Sequence, residues 1–384
     1  MDVLIVGAGP AGLMAAEVLA SRGRNVTLVD SKPSFGRKFL MAGKSGLNIT
    51  NDQELKEFVK RFGEDGKKLE PMLTSFGPDK VKKWVEGLGQ EIFTGSTGRV
   101  FPKTMKASPL LRFWLQRLLS LNVKFKTNYK LVDWQDNFIF DTPSGQKSIT
   151  PRTAILALGG ASWPKLGSDG SWVNLFETKK IKVNNFKPSN VGVHVNWSKF
   201  MDQFHGMPIK NIQMYSDCLT SRGEALVTKM GLEGGGIYEL SPLLREGAAL
   251  KIDLFPDLNL ASLTKILSRS RKKNSISNYL RKTLSLSGVR LALIHECLTS
   301  IPDSPQNLAH SLKNLYVNQK GAHSIDQAIS TAGGVDFNEL DEHLMISRLP
   351  QVFCVGEMLD WEAPTGGYLI NACLATGYWV GQNA

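Results

Sequence analysis

The chain has 384 residues, 42% hydrophobic and 21% charged, the composition of an ordinary globular protein of two or three compact units. Forty-six basic against 35 acidic residues leave a net charge of +11. No apolar run approaches the roughly 20 residues that cross a bilayer, so no membrane partner is expected. No basic segment and apolar stretch precede the first strand, which predicts no secretory leader. Cys218, Cys297, Cys354 and Cys373 lie far apart with no C-x-x-C among them. That argues against a zinc site and a redox dithiol, and it fits a reducing, cytoplasmic setting.

The first predicted element is the strand Val3–Val6, apolar at every position, as in a strand buried on both faces of a parallel sheet. It runs into Gly7, Gly9, Pro10, Ala11 and Gly12, a G-x-G-x-x-G turn opening a helix. In that setting the first glycine permits the tight turn and the second lets a pyrophosphate approach the backbone. The third lets the helix pack close to the strand. The helix N-terminus offers free N–H groups and a partial positive charge to a diphosphate. After a helix stop at Gly23, a second strand covers Asn25–Asp30. Asp30, with Ser31 beside it, comes 30 − 12 = 18 residues after Gly12, where a carboxylate accepts hydrogen bonds from an adenosine ribose. Strand, glycines, helix and acid together specify a dinucleotide site far better than the glycines alone.

Residues 31–53 are predicted to form one long loop containing Pro33, Gly36, Gly43 and Gly46, a length that points to function. Helices follow near 53–62 and 78–88. Thr97–Pro102 reads as a tight connection, and Ser108-Pro109 starts a helix ending near Leu121. Val123–Phe140 alternates like strands, and Thr153–Gly160 is another buried strand ending in glycines. Beyond Lys187-Pro188 the pattern changes to short strands and turns up to about Phe255, and 259–317 reads as helical. Thr331-Ala-Gly-Gly-Val then leads to a strand at Val352–Glu357, and Thr365–Ala372 begins a C-terminal helix. The organisation expected is a discontinuous dinucleotide-binding domain at 1–187 and 325–384. It encloses a β-rich insertion at 188–256 and a helical one at 257–324.

Two further glycine turns return to the same sheet, at Ala157-Leu-Gly159 and at Gly356-Glu357. A helix starting at Gly366-Gly367 would direct N–H groups at the N1/C2=O side of an isoalloxazine ring, where reduced flavin carries negative charge. The main site is therefore expected to take FAD rather than NAD. Gly231–Gly236 shows no clear strand before it and no helix after it in the required register, and is predicted to be a turn of the β-rich insertion. No independent nicotinamide domain follows, so NAD(P)H as electron donor would bind transiently over the flavin.

These pieces resemble a bacterial family of NAD(P)/FAD-dependent oxidoreductases that includes aminoacetone oxidase and a bile-acid reductase, within the glutathione-reductase-like flavoproteins. The resemblance rests on Val6–Leu13, Gly36–Leu40, Gly46–Asn51, Gly98–Pro102, Ala157–Ser162, Thr331–Val335 and Gly356–Asp360 with Thr365–Tyr368. It implies an α/β fold: a Rossmann-like FAD-binding domain interrupted by a β-barrel-like domain and a small helical domain. FAD would lie between the first glycine loop and the C-terminal helix, reached by Thr365, Gly366, Gly367 and Tyr368. Arg37 and Lys38 would lie near the flavin or the diphosphate, or else form a surface pair. Leu131 or a neighbour would hold the adenine through its backbone. Where the family's loop reads Ser-Gly-x-Gly-Arg-Cys-Asn, this chain has Ala42-Gly-Lys-Ser-Gly-Leu-Asn48, so no thiol chemistry transfers to this loop.

No catalytic acid or base is identifiable in the sequence. The six histidines are scattered. Glu357 reads equally as a carboxylate near the flavin or as a loop cap. Tyr368 and Trp361 flank the ring or simply pack. Arg269, Arg271, Lys272, Lys273, Arg281 and Lys282 concentrate charge in one helical stretch. That stretch is either a solvated face or an attractor of anionic partners, and no interleaved aromatics or known module mark it for nucleic acid. The leading expectation is an FAD-dependent oxidoreductase acting on a small molecule, its flavin reduced by NAD(P)H or by substrate. The alternatives are a flavin-dependent RNA-modifying or RNA-binding protein, and a flavin-binding regulator without turnover.

Overall fold

The computed structural model describes every residue except 44, 45, 136 and 287. The chain divides into two compact units, Met1–Lys187 with Ile329–Ala384, and Pro188–Ala328.

The first unit is built on five parallel strands in the order Val352–Cys354, Thr153–Leu156, Val3–Val6, Val26–Asp30, Lys124–Thr127. Val3–Val6 is central and buried at all four positions, which is why it is apolar throughout. Helix α1 (Pro10–Ser21) follows, with Gly9 at its N-cap and Pro10 in its first turn, where a missing N–H costs nothing. The stretch expected to be one long loop contains a helix, α2 (Arg37–Ala42). Six residues are too few to show a helical period, and what fixes this turn is tertiary: Phe39 is buried on one side of it. Lys44 and Ser45, in the loop that departs from the family pattern, lie outside the described residues. The connection at Thr97–Pro102 is the second half of a hairpin, Arg99–Pro102 pairing with Ile92–Thr94. A helix at Gly66–Ser75, not anticipated, carries Pro71 inside it, a residue that reads as a breaker in sequence.

The second unit carries a seven-stranded antiparallel sheet. Its order is Leu315–Val317, Leu250–Asp253, Pro208–Ser216, Leu219–Thr228, Gly231–Glu233, Val193–Val195, Gln319–Ala322. The two edge strands are separated by one residue in the chain, so the sheet curls into a near-barrel. Contrary to expectation, the glycines at 231–236 do connect a strand to a helix, α3 (Gly235–Leu244). Three glycines and Pro242 masked a helix that is fixed by burial of Ile237, Leu240 and Leu244. Helices α4 (Leu260–Leu267) and α5 (Ile276–Leu284) follow, capped by Asn259 and Ser275 side chains that accept from the backbone N–H of Ser262 and Asn278. Their apolar faces share one hydrophobic core with the sheet, Leu263, Leu267 and Leu280 meeting Met214, Ile252 and Leu315 in that cluster.

The chain returns to the first unit and ends in α6 (Tyr368–Asn383), whose N-cap Gly367 has φ +91°. A Cβ on Gly377 would lie 2.2 Å from Ala11 O, and one on Gly381 2.6 Å from Val18 Cβ. These glycines let α6 pack backbone-close on α1. Among the described residues no helix is long and apolar enough to cross a membrane.

Candidate functional site

The first unit's sheet opens, at the carboxyl ends of Val3–Val6, Val26–Asp30 and Thr153–Leu156, into one elongated cleft. It has about 1110 Å³ of free space, its open mouth included. The glycine loop forms its floor, and each glycine there has its own reason. A Cβ on Gly7, at φ +106°, would lie 2.1 Å from Ala157 O. One on Gly12 would lie 2.0 Å from Gly7 O. A Cβ on Gly9 would meet no protein atom within 4 Å, and Gly9 is in extended conformation, which any residue adopts. Protein packing does not require a glycine at 9. A side chain there would stand in the cleft in front of α1's first N–H groups, where a diphosphate would approach.

Asp30 closes the adjacent side. Its Oδ2 accepts from Ala8 N–H and its Oδ1 from Lys32 N–H, each at 2.8 Å. Each carboxylate oxygen keeps a further lone pair for a ribose hydroxyl. Burial pushes its pKa up despite those bonds, so a hydroxyl donor would stabilise the charged form. Ser31, Arg37, Lys38, Leu131, Ala157, Gly159, Gly356 and Glu357 also line the cleft, with Pro10 and Ala11.

Lys38, half-buried, and Glu357, buried, form an ion pair in the cleft wall. Lys38 Nζ is 2.6 Å from Glu357 Oε2 and 2.9 Å from Oε1, and donates to Ser162 Oγ at 2.7 Å. Glu357 is 8% exposed, and its Oε1 also accepts from Thr331 N–H at 3.1 Å. Gly160 leaves room for this pair: a Cβ there would lie 1.9 Å from Thr331 Oγ1 and 3.2 Å from Glu357 Cδ. Glu357 is thus a partner of Lys38 rather than a loop cap. Cys373, the one cysteine lining the cleft, is buried, and that burial, with Glu357 nearby, pushes its thiol pKa up.

Gly12 lies behind the cleft as a packing glycine. Thr365, Gly366, Gly367 and Tyr368 do not line it. They stand beside Thr50–Asn51, where a Cβ on Gly367 would lie 2.6 Å from Thr50 Cα. Tyr368 is packed into the protein. It is 2% exposed, its ring is 4.6 Å from that of Phe58, and its hydroxyl donates to Gln53 Oε1 at 2.8 Å. Trp361 packs likewise, its Nε1 donating to Gly356 O at 3.0 Å. At this end Asn51 Oδ1 and Thr365 Oγ1 are buried without a hydrogen-bond partner among the described residues. Such atoms, next to the N-terminus of α6, fit the polar edge of a flavin ring. Sequence reasoning singled out neither Ser162, Thr331, Ser168 nor Asn51 as a site residue. Ser162, Thr331 and Asn51 fall inside the motifs that carry the family resemblance, but nothing local marks a serine, threonine or asparagine for this role.

The parallel sheet, the glycine loop with a bare Gly9, Asp30 and the C-terminal helix define an FAD-dependent oxidoreductase with a Rossmann-like domain. The chain belongs to the family of the HI0933-like protein Rossmann domain, which matches residues 1–383. A ribosomal RNA dihydrouridine synthase of Escherichia coli (strain K12) is 24% identical over 96% of this chain and 94% of its own length. A 3-dehydro-bile acid delta(4,6)-reductase of Clostridium scindens is 24% identical over 99% and 98%. The solved structure of a 3-ketosteroid-delta4-(5alpha)-dehydrogenase from Rhodococcus jostii RHA1 superposes with a TM-score of 0.55 at 12% identity, covering 99% of this chain and 95% of that one, a likeness of fold alone.

Proposed function

We propose that this flavoenzyme adds two hydrogens to a carbon–carbon double bond conjugated with a carbonyl, its flavin being reduced by NAD(P)H. The observation that carries the reading is what the two relatives spanning nearly the whole chain have in common. Both names describe saturating such a bond, one in a uridine base and the other in a 3-dehydro bile acid. FAD, when bound, supplies the hydride chemistry. The chain's residues supply position and charge. Gly9 and the N–H groups of α1 receive the diphosphate, Asp30 the ribose, and the backbone near Leu131 the adenine. Arg37 stands near the diphosphate. The Lys38–Glu357 pair fixes the cleft wall by Gly159 and Gly356. The amides at Gly366 and Gly367, with Asn51 and Thr365, take the polar edge of the ring. Burial pushes up the pKa of Cys373, the cysteine that lines the cleft.

Two acceptors fit this chemistry. One is a small unsaturated ketone or lactam. The other is a uracil base within RNA, favoured by a specific observation: most of the net charge sits in one stretch of the second unit. The test is an anaerobic titration of the yellow protein with NADPH and NADH, followed by candidate acceptors. We expect the visible band to bleach with a dinucleotide and to return when a conjugated enone or a uridine-containing RNA is added. Purified protein that neither holds nor takes up FAD would sink the reading. So would reduced protein reoxidised by oxygen but by no conjugated double bond.

A further inference from the structure

The 38 residues from Leu258 to His295 contain eight lysines and arginines and not one aspartate or glutamate, so they supply +8 of the chain's +11. A merely solvated face mixes both signs, because like charges crowded together repel. Two helices of this stretch pack on the core. α4 and α5 bury Leu263, Leu267, Tyr279 and Leu280 in the second unit's core, and Tyr279 OH donates to Leu267 O at 2.6 Å. The turn between them is ordered too: Lys272 takes φ +50°, its N–H donates to Ser270 Oγ at 3.3 Å, and Asn274 N–H donates to Arg271 O at 3.1 Å. Arg269, Arg271, Lys272, Lys273, Arg281 and Lys282 are all exposed on this hairpin. Among the described residues none of the six has a carboxylate partner.

We infer that the α4–α5 hairpin is a docking surface for the phosphate backbone of base-paired RNA. The inference rests on the RNA reading of the acceptor given above. The surface itself narrows the partner. Its only aromatic residue, Tyr279, is buried, so it offers no platform on which unpaired bases stack. A double-stranded helix presents phosphates outward and needs no such platform. A protein partner would need aromatic or aliphatic anchors, and a membrane surface an exposed apolar stripe. Among the described residues of this stretch, the only large exposed apolar side chain is Leu260, 45% exposed. A single dinucleotide carries too few charges to require six cations in a row.

The experiment is binding of a fluorescent RNA hairpin to the full flavin-loaded protein, measured by anisotropy across a salt series. It compares wild type with the triple variant Arg271→Gln, Lys272→Gln, Lys273→Gln. A second variant, Lys67→Gln, Lys83→Gln, Lys124→Gln, makes the same net change at exposed positions of the other unit. Wild type should bind with a log–log salt slope of about −3 or steeper. The hairpin variant should lose about 2 from that slope and at least about tenfold in affinity. The control variant should match wild type, and all three proteins should keep the same flavin content and melting temperature. Equal weakening by both variants would reduce the effect to bulk charge and overturn the docking surface. Equal binding of duplex DNA, preference for single-stranded RNA, or binding to anionic vesicles but not to RNA would overturn the stated partner. If the hairpin RNA reoxidises wild type and the hairpin variant alike, the docking surface fails and the RNA reading stands. If wild type binds no RNA, both fail.

Discussion

Two glycine-rich turns in this chain connect a strand to a helix, and they differ in what faces the glycines. At Gly231–Gly236 the first and last glycines lie against protein atoms. A Cβ on Gly231 would lie 2.0 Å from Val193 O, and one on Gly236 2.1 Å from Met214 Cε. At Gly7–Gly12 two of three glycines are explained the same way, but Gly9 faces open space. The sheets differ as well: the first turn ends a strand of a parallel sheet, whose strand ends point into a crevice, and the second belongs to an antiparallel sheet. Glycine richness marks close approach, and only the unfilled space tells whether the approaching body is the protein or a ligand.

The comparison breaks most sharply by putting side chains where the glycines are. Gly12→Val should destabilise the folded protein by about 3 kcal/mol or more, because its Cβ collides with Gly7 O and backbone cannot swing aside. Gly9→Val should leave the unfolding free energy of flavin-free protein within about 0.5 kcal/mol of wild type while abolishing bound FAD. Denaturant unfolding of the apoproteins, with flavin absorbance per protein, checks both. Normal flavin stoichiometry in Gly9→Val would remove the diphosphate from this loop.

A smaller effect is expected at the ion pair. Lys38→Met leaves Glu357 buried beside Ser162 and Thr331 without its cation. Removing one partner of a fully buried pair costs 3–5 kcal/mol, and about 2 kcal/mol is expected here because the Lys38 side chain is 24% exposed. Glu357→Gln should cost less, since Lys38 keeps Ser162 and can reach water. The double variant should recover part of the sum, a coupling of about 1 kcal/mol. Strict additivity of the three unfolding free energies would mean that the two side chains do not hold each other.

Much of the first unit was legible because its signals are local. A continuous apolar strand, three glycines and Asp30 at the next strand end follow from thirty residues of sequence. What could not be read depends on partners far along the chain. Phe39 fixes α2 by burial rather than by period. Ile237, Leu240 and Leu244 hold α3 in spite of its glycines and Pro242. The Lys38–Glu357 contact spans 319 positions, so neither residue's neighbours announce it. Asn51 Oδ1 and Thr365 Oγ1 are buried without a hydrogen-bond partner among the described residues, and no sequence pattern encodes that.

The smallest expected effect sharpens the comparison from the side of the second turn. Glu233 ends the strand there, and a Cβ on Gly192 would lie 2.6 Å from Glu233 Cγ and 2.9 Å from His323 Cε1, so protein side chains occupy this region. His323 is 3% exposed, its ring centroid 4.4 Å from that of His194 and its Nδ1 3.8 Å from Glu233 Oε1. Burial, and then the neighbouring His194, hold its pKa below the ordinary histidine value, although Glu233 pulls the other way. A depressed pKa means that the unfolded chain takes up the proton first. Stability from neutral His323 is therefore complete above about pH 6.5 and falls as pH drops from there toward the folded pKa, by at most about 1.4 kcal/mol per pH unit. His323→Gln should flatten the melting-temperature profile below about pH 6.5 while flavin content stays unchanged. An unaltered profile would mean that another group sets the acid limb. Loss of flavin in that variant would erase the distinction between a turn closed on protein and a turn open to a ligand.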